Sequence, residues 1–372
     1  MKIVITGAAG MLGTHLQYRL KSFDAYKRAV VALDREAYND DAALYDALDG
    51  ADVVVHCAGI NRDEEAVLED GNRALADRLA SMLERVGGSP HLFYTNSIQK
   101  GADSAYGRGK EAASDVFRSW AARAEARYSD LVLPHIFGEG GRPYYNSAVQ
   151  TFCEQLAKGE PLSINGSGRL ELIHAQDVAA AIVDSIERGV SGEQRIKGTA
   201  LSVAEVAGKL IAMHDSYTGG IIPNLDNRLD LQLFNTLRFS IFPDFYPCEL
   251  ALHTDPRGSL YEAVKSHNGG QTFLSTTKPG ITRGNHYHHH KVERFLVIKG
   301  EAVIRIRRLL DDTVDSFTVS GDNPVFIDMP TFHTHSITNI GKGELLTLFW
   351  SHAIFDPENP DTYFEPVLDE KE

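Results

Sequence analysis

Tyr106 and Lys110 stand four residues apart, a spacing that puts both side chains on one face of a helix. A phenol with a pKa near 10 transfers protons poorly at neutral pH. An ammonium one turn away stabilises the phenolate and is expected to bring that pKa toward the working range. Ser97, just upstream, offers a hydroxyl that could hold a substrate oxygen. At the start of the chain, Gly7-Ala8-Ala9-Gly10-Met11-Leu12-Gly13 separates an apolar run from a helical pattern. Its glycines allow a tight turn and close backbone approach. The helix that Met11 and Leu12 open presents free N–H groups to a pyrophosphate. The spacing is GxxGxxG. Asp34, 21 residues after Gly13, suits a ribose 2′-hydroxyl, whereas Arg35 beside it could grip a 2′-phosphate. The pair leaves NAD and NADP both open.

A second set of reactive side chains lies near the other end. Six of the 15 histidines fall between 286 and 335. His286 and His288 share one side of a strand, Glu293 follows at the start of the next, and His335 supplies a third imidazole. Three neutral nitrogens and a carboxylate suit a divalent transition metal. His289 and His290 are read as bystanders. His333 competes with His335, but the spacing to Asn339 favours His335. Gly280-x5-His286-x-His288-x4-Glu293-x6-Gly300 and Pro330-x4-His335-x3-Asn339 resemble the two motifs of the cupin barrel. Glycine is common where Phe332 stands, so the turn before His335 is expected to differ. Asp255-Pro256-Arg257-Gly258 and Arg283-Gly284-Asn285-His286-Tyr287 resemble segments of deoxysugar 3,5-epimerases, in which that histidine is a base. His286 is thus either ligand or base. Arg257 and Arg283 are candidates for an anionic ligand such as a diphosphate, or else make ordinary surface salt bridges.

The elements that position these residues follow from periodicity. KIVIT (2–6), AVVAL (29–33), ADVVVHCAG (51–59), HLFYTN (91–96) and DLVLPH (130–135) read as strands. Between them, residues 73–86 and 106–127 have helical spacing. Strands alternating with helices of this length predict βαβ units on a parallel sheet. Beyond about residue 245 the texture changes to close-spaced strands at 295–309, 315–330 and 344–354, which predict an antiparallel barrel or sandwich. The boundary is placed at FPDFYPCE (242–249). The expected organisation is a Rossmann-type doubly wound domain over 1–245, with a substrate lobe from about 150 that includes the loop INGSGR (164–169), and an all-β cupin domain over 246–372.

Composition narrows the class. The chain has 372 residues, 43% hydrophobic and 24% charged, with a net charge of −14. These are globular values, and the acidic balance disfavours nucleic acid and anionic membranes as partners. No apolar run is long enough to span a bilayer. The N-terminal MKIVITGAAG reaches glycine before a secretory core could form, so a cytoplasmic location is expected. Cys57, Cys153 and Cys248 fit neither a disulfide framework nor a metal knuckle.

Gly7/Gly10/Gly13, His56-Cys57-Ala58-Gly59, Thr95-Asn96-Ser97, Tyr106-x3-Lys110 and Pro134-His135-Ile136-Phe137-Gly138 resemble the extended short-chain dehydrogenases that act on nucleotide sugars. That resemblance implies Ser97, Tyr106 and Lys110 as the catalytic set, with Ala58, Gly59 and Lys110 joining the cofactor site. End to end, the chain resembles the CapF family of capsular polysaccharide synthesis enzymes. The match is carried by Tyr145-Asn146-Ser147, Thr151-Phe152-Cys153, Pro223-Asn224-Leu225-Asp226, Lys278-Pro279-Gly280-Ile281-Thr282, Phe295-Leu296-Val297 and Phe355-Asp356-Pro357-x2-Pro360-Asp361-Thr362-Tyr363-Phe364. The resemblance implies a bifunctional enzyme: the cupin epimerises C3 of a UDP-4-keto-6-deoxy-N-acetylhexosamine, and the reductase reduces C4 with NADPH. The product would be a UDP-6-deoxy-L-talosamine derivative on the way to UDP-N-acetyl-L-fucosamine. It also implies zinc at His286, His288, Glu293 and His335, substrate contacts at Asn146, Arg257 and Arg283, and a homodimer or higher homo-oligomer. The alternative is a reductase or epimerase whose metal-binding cupin serves only dimerisation.

Overall fold

Val and Ile alternate along the first strands so that successive side chains enter opposite cores, the pattern of a sheet covered on both faces. A computed structural model describes residues 1–27, 29–164 and 168–368. Residues 165–167 of the expected 164–169 loop therefore lie outside the described residues. Contacts divide the chain into two units. One comprises Met1–Thr151 with Ile164–Val206, and the other Phe152–Ser163 with Ala207–Glu372.

In chain order the first part contains β1 (Ile3–Thr6), α1 (Met11–Lys21), β2 (Val30–Leu33), α2 (Arg35–Asn39), α3 (Asp41–Leu48), β3 (Val53–His56), α4 (Glu65–Val86), β4 (His91–Ser97), α5 (Ala105–Ala124), β5 (Tyr128–Leu133), β6 (His135–Phe137), α6 (Ala148–Ala157), β7 (Arg169–His174), α7 (Ala175–Arg188), β8 (Gly192–Arg195) and β9 (Thr199–Ser202). Six parallel strands form a sheet in the order β2-β1-β3-β4-β5-β8. Ile3, Ile5, Val53, Val55 and Phe93 pack with Leu16 of α1 and Val178 and Ile182 of α7 on one face. Val4, Val54, Leu92 and Tyr94 pack with Leu79 of α4 and Phe117 and Trp120 of α5 on the other. The chain leaves β1 for β2 on one side and returns to β3 on the other. The crevice at the carboxyl ends of β1 and β3 is therefore the switch point where ligands bind in such sheets.

The second part contains α8 (Val203–Thr218), β10 (Ile221–Ile222), α9 (Arg228–Ile241), β11 (Cys248–Glu249), β12 (His253–Asp255), β13 (Gly258–Leu260), β14 (Lys265–Ser266), β15 (Gln271–Thr277), β16 (Thr282–Tyr287), β17 (Glu293–Lys299), β18 (Glu301–Arg308), β19 (Val314–Ser320), β20 (Val325–Met329), β21 (His333–Asn339), β22 (Leu345–Ser351) and β23 (Tyr363–Phe364). Two five-stranded antiparallel sheets, β11-β20-β17-β22-β15 and β19-β18-β21-β16-β23, contribute to one core that includes Phe295, Val297, Ile304, Ile306, Ile327, Ile337 and Phe349. Residues 207–245, which the sequence reading attached to the first domain, pack instead with these sheets. The Tyr217 hydroxyl donates to Asp328 Oδ2 at 2.6 Å, and Arg238 donates to the Met329 carbonyl. Apolar side chains on α9 are buried within this unit, so its composition alone did not place the boundary. Among the described residues, no helix is long and apolar enough to cross a membrane.

Candidate functional site

The glycine turn is dictated by crowding. Gly7 has φ +69°, and a Cβ there would lie 2.5 Å from Ala58 N; one on Gly13 would lie 2.4 Å from the Gly7 carbonyl. No larger residue fits either place without moving backbone. The turn leads directly into α1, whose N-cap Gly10 supplies no side-chain cap. The first N–H groups of Met11, Leu12 and Gly13 are thereby left without a side-chain acceptor, the arrangement that receives a pyrophosphate. Ala58 and Gly59 leave β3 on the other side of the crevice. Asp34 caps α2, its Oδ1 accepting from Ala37 N at 2.9 Å, and both Asp34 and Arg35 are exposed.

Ser97 ends β4, and Tyr106 and Lys110 lie in the first two turns of α5, which Ser104 caps by accepting from Gly107 N. The Tyr106 hydroxyl donates to Asn61 Oδ1 at 3.2 Å. Burial raises the Tyr106 pKa, and a hydrogen bond with Ser97 opposes the rise. Lys110 is buried and donates to the Thr95 carbonyl at 3.0 Å. Its ammonium sits 4.6 Å from the centre of the Tyr94 ring and 6.0 Å from that of Tyr106. Burial pushes the Lys110 pKa down to about 8. The sequence reading gave Lys110 the task of lowering the Tyr106 pKa. Lys110 is held by the Thr95 carbonyl and the Tyr94 ring, and the interaction that opposes the rise at Tyr106 is with Ser97.

Asn61 escaped the sequence reading. Its only signal is its place two residues after Gly59. Asn72 of α4 fixes that stretch, accepting from Ile60 N and donating to Ile60 O. Arg62 then donates to the carbonyls of Tyr144 and Tyr145. Asn146 follows in the same loop and is exposed. Tyr145 is near enough to Tyr106 to influence its ionisation.

In the second unit, His286 ends up directly opposite His335 in the β16–β21 ladder, because a bulge between Gly284 and His286 shifts the register. The imidazole centres of His286 and His335 are 4.6 Å apart. His288 Nε2 is 3.0 Å from Glu293 Oε2, which lies 3.8 Å from His335 Nε2. One ligand atom from each of His286, His288, Glu293 and His335 lies within 4.8 Å of the others. His335 Nε2 is buried and has no hydrogen-bond partner among the described residues. An unsatisfied imidazole nitrogen beside a buried carboxylate is the environment that a divalent cation resolves, so the donor set fits a metal. Burial pushes His286 down to about 4 and lowers His335, leaving both neutral at pH 7. Burial raises Glu293, but the charge and hydrogen bond of the adjoining His288 overcome it and hold the carboxyl ionised.

Phe332 adopts φ +59°, the backbone that glycine takes readily. The turn expected to differ thus keeps a glycine-like conformation, with Phe332 N donating to the His288 carbonyl at 3.0 Å. Beside the cluster is a pocket of about 460 Å³, lined among others by Arg283, His286, Lys291, Phe273 and Phe355. Arg283 is held there by Thr277 Oγ1 and the Thr276 carbonyl. Arg257 is not brought to it. It is exposed in the β12–β13 hairpin and paired with Asp255 at 2.6 Å, the surface ion pair given as its alternative. Lys291, absent from the sequence reading, lines the pocket and donates to the Pro360 carbonyl.

A doubly wound sheet with a glycine turn and a Ser-Tyr-Lys set defines an NAD(P)-dependent enzyme of the short-chain dehydrogenase class. Residues 3–197 match the NAD dependent epimerase/dehydratase family, and residues 253–363 match the polysaccharide biosynthesis C-terminal domain. A Pseudomonas aeruginosa protein, UDP-2-acetamido-2,6-beta-L-arabino-hexul-4-ose reductase, is 32% identical over 368 residues, covering 98% of each chain. The crystal structure of the capsular polysaccharide assembling protein CapF from Staphylococcus aureus superimposes with a TM-score of 0.64 at 33% identity, covering 99% of this chain and 100% of that one. WbmF of Bordetella bronchiseptica, in complex with NAD+ and UDP, shares the fold (TM-score 0.52, 17% identity, 64% of this chain and 92% of that one). The chain belongs to the CapF family of nucleotide-sugar reductases and epimerases.

Proposed function

We propose that this chain epimerises C3 of a UDP-4-keto-6-deoxy-N-acetylhexosamine in its C-terminal unit, read as a cupin. Its N-terminal unit then reduces the C4 ketone with NADPH. The product is a UDP-2-acetamido-2,6-dideoxy-L-talose derivative for a capsular or surface polysaccharide. The observation that carries the reductive half is the Tyr106 hydroxyl, hydrogen-bonded to Asn61 and close enough to Ser97, at the carboxyl end of β4, for that residue to affect its ionisation, on the sheet that bears the glycine turn. The substrate class is inferred from the end-to-end likeness to the Pseudomonas reductase.

The chemistry of the substrate links the two halves. A ketone at C4 acidifies the hydrogen on C3, so a base can remove it and reprotonation from the other face inverts the centre. In the C-terminal unit, Arg283 is placed to hold an anionic group of the nucleotide sugar. His286 lines the pocket as the candidate base or fourth ligand. His288, Glu293 and His335, with or without His286, would hold the metal. When bound, it supplies Lewis-acid stabilisation of the charge on the substrate oxygen. In the N-terminal unit, Ser97 holds the ketone oxygen and Tyr106 delivers a proton to it. Lys110 supplies positive charge beside the phenol. The bound dinucleotide supplies the hydride.

Tyr106→Phe separates the two activities. It is expected to slow oxidation of NADPH by a factor of about 10² to 10⁴ while leaving deuterium exchange at C3 intact. Reduction at the parent rate would remove Tyr106 from the role of acid.

A further inference from the structure

The segment from Phe355 to Phe364 carries none of the expected ligands, yet it folds back over them. Its last residues form β23, which pairs with β16 so that Phe364 lies opposite His286 and Tyr363 opposite Tyr287. The decisive residue is Asp361. Its carboxylate accepts three consecutive backbone N–H groups, those of His289, His290 and Lys291, each at 2.9 Å. These are the residues that join the His288 end of the histidine run to Glu293. The backbone carbonyl of Asp361 meets His288 Nδ1 at 2.5 Å. A carbonyl only accepts, so Nδ1 must carry the proton in this contact. Nε2, the nitrogen beside Glu293, is thereby turned toward the cluster. Asp361 has φ +43°, a left-handed conformation in which Asp and Asn are tolerated better than most residues. That conformation lets one residue offer both its carboxylate and its carbonyl to the same turn.

We propose that Asp361 is a positioning residue of the metal centre. Residues 360–364 act as a strap that fixes the tautomer and orientation of His288 and the path of 289–291, and so sets the affinity for a divalent cation. The inference rests on the metal-site reading above and extends it to a residue outside the ligand set. Outer-shell partners that orient a ligating imidazole commonly change metal affinity by about 10- to 100-fold when lost.

The test uses the full chain and Zn2+ in competition with a chromogenic chelator. The parent is expected to bind one equivalent. Asp361→Ala is expected to bind at least about ten-fold more weakly. Asp361→Asn keeps the backbone preference and an acceptor oxygen, so it is expected to fall between the two, and it carries the test should the alanine variant not fold. Substitution with Co2+ gives a second readout: the visible absorption band should shift in the variants, because the donor geometry changes, which a mere loss of global stability would not do. Folded variants with parent affinity and an unchanged Co2+ spectrum would overturn the strap proposal and leave the metal site standing. A parent chain that takes up no Zn2+ would instead overturn the metal-site reading, and the strap with it.

Discussion

At the scale of single residues, the candidate reductive site contains a buried lysine that is costly to hold. The Lys110 pKa, about 8 in the fold, lies below its ordinary 10.5. Between these values the unfolded chain keeps the proton and the folded chain does not, so stability rises with pH across that window. Below it the full penalty of burying the ammonium applies, about 3 kcal/mol. Lys110→Met removes the charge and is expected to stabilise the cofactor-free protein by about 1–3 kcal/mol at pH 7, while ending reduction. Denaturant unfolding at pH 7 and pH 10 checks this: the gain should shrink at the higher pH. A lysine variant that is less stable at pH 7 would mean the ammonium is well solvated or paired. Tyr106, Lys110 and the cluster of His286, His288, Glu293 and His335 could be singled out as candidates because their spacings carry chemical meaning. Asn61 and Asp361 were not, because each acts through a tertiary contact that spacing does not encode: 45 residues separate Asn61 from Tyr106, and 73 separate Asp361 from His288.

At the scale of elements, alternation along β1, β3 and β4 made the parallel sheet readable, and Gly300, at φ +93°, broke the 295–309 run into β17 and β18. What sequence could not assign was the allegiance of α8 and α9. A buried ionic knot links α8 to β20. Arg294 donates to both oxygens of Asp328 at 2.7 and 2.9 Å, its guanidinium lies 3.5 Å over the Phe326 ring, and Tyr217 from α8 donates to the same carboxylate. Asp328→Ala strands a buried cation and is expected to cost about 3–5 kcal/mol of stability, read as a fall in the urea midpoint. Replacing both partners, as Arg294→Met with Asp328→Leu, should lose less than the single change, because no uncompensated charge is left. A single variant within 1 kcal/mol of the parent would show that the knot is not what ties α8 to β20.

At the scale of the whole molecule, each unit presents a candidate site suited to the same functional group: a Ser-Tyr-Lys set on a sheet that carries a glycine turn, and a pocket bearing Arg283 and Lys291 beside the His286, His288, Glu293 and His335 cluster. A C4 ketone is what makes C3 exchangeable and what a hydride can reduce, so a single substrate accounts for both. The most direct measurement incubates the full chain with UDP-4-keto-6-deoxy-N-acetylhexosamine and NADPH in D2O and follows the sugar by NMR. The expected product carries one deuterium at C3, is inverted there and bears a hydroxyl at C4, and it forms as the reduced nicotinamide is consumed. A product reduced at C4 that keeps its original hydrogen and configuration at C3, or a substrate left untouched, would overturn the proposed function.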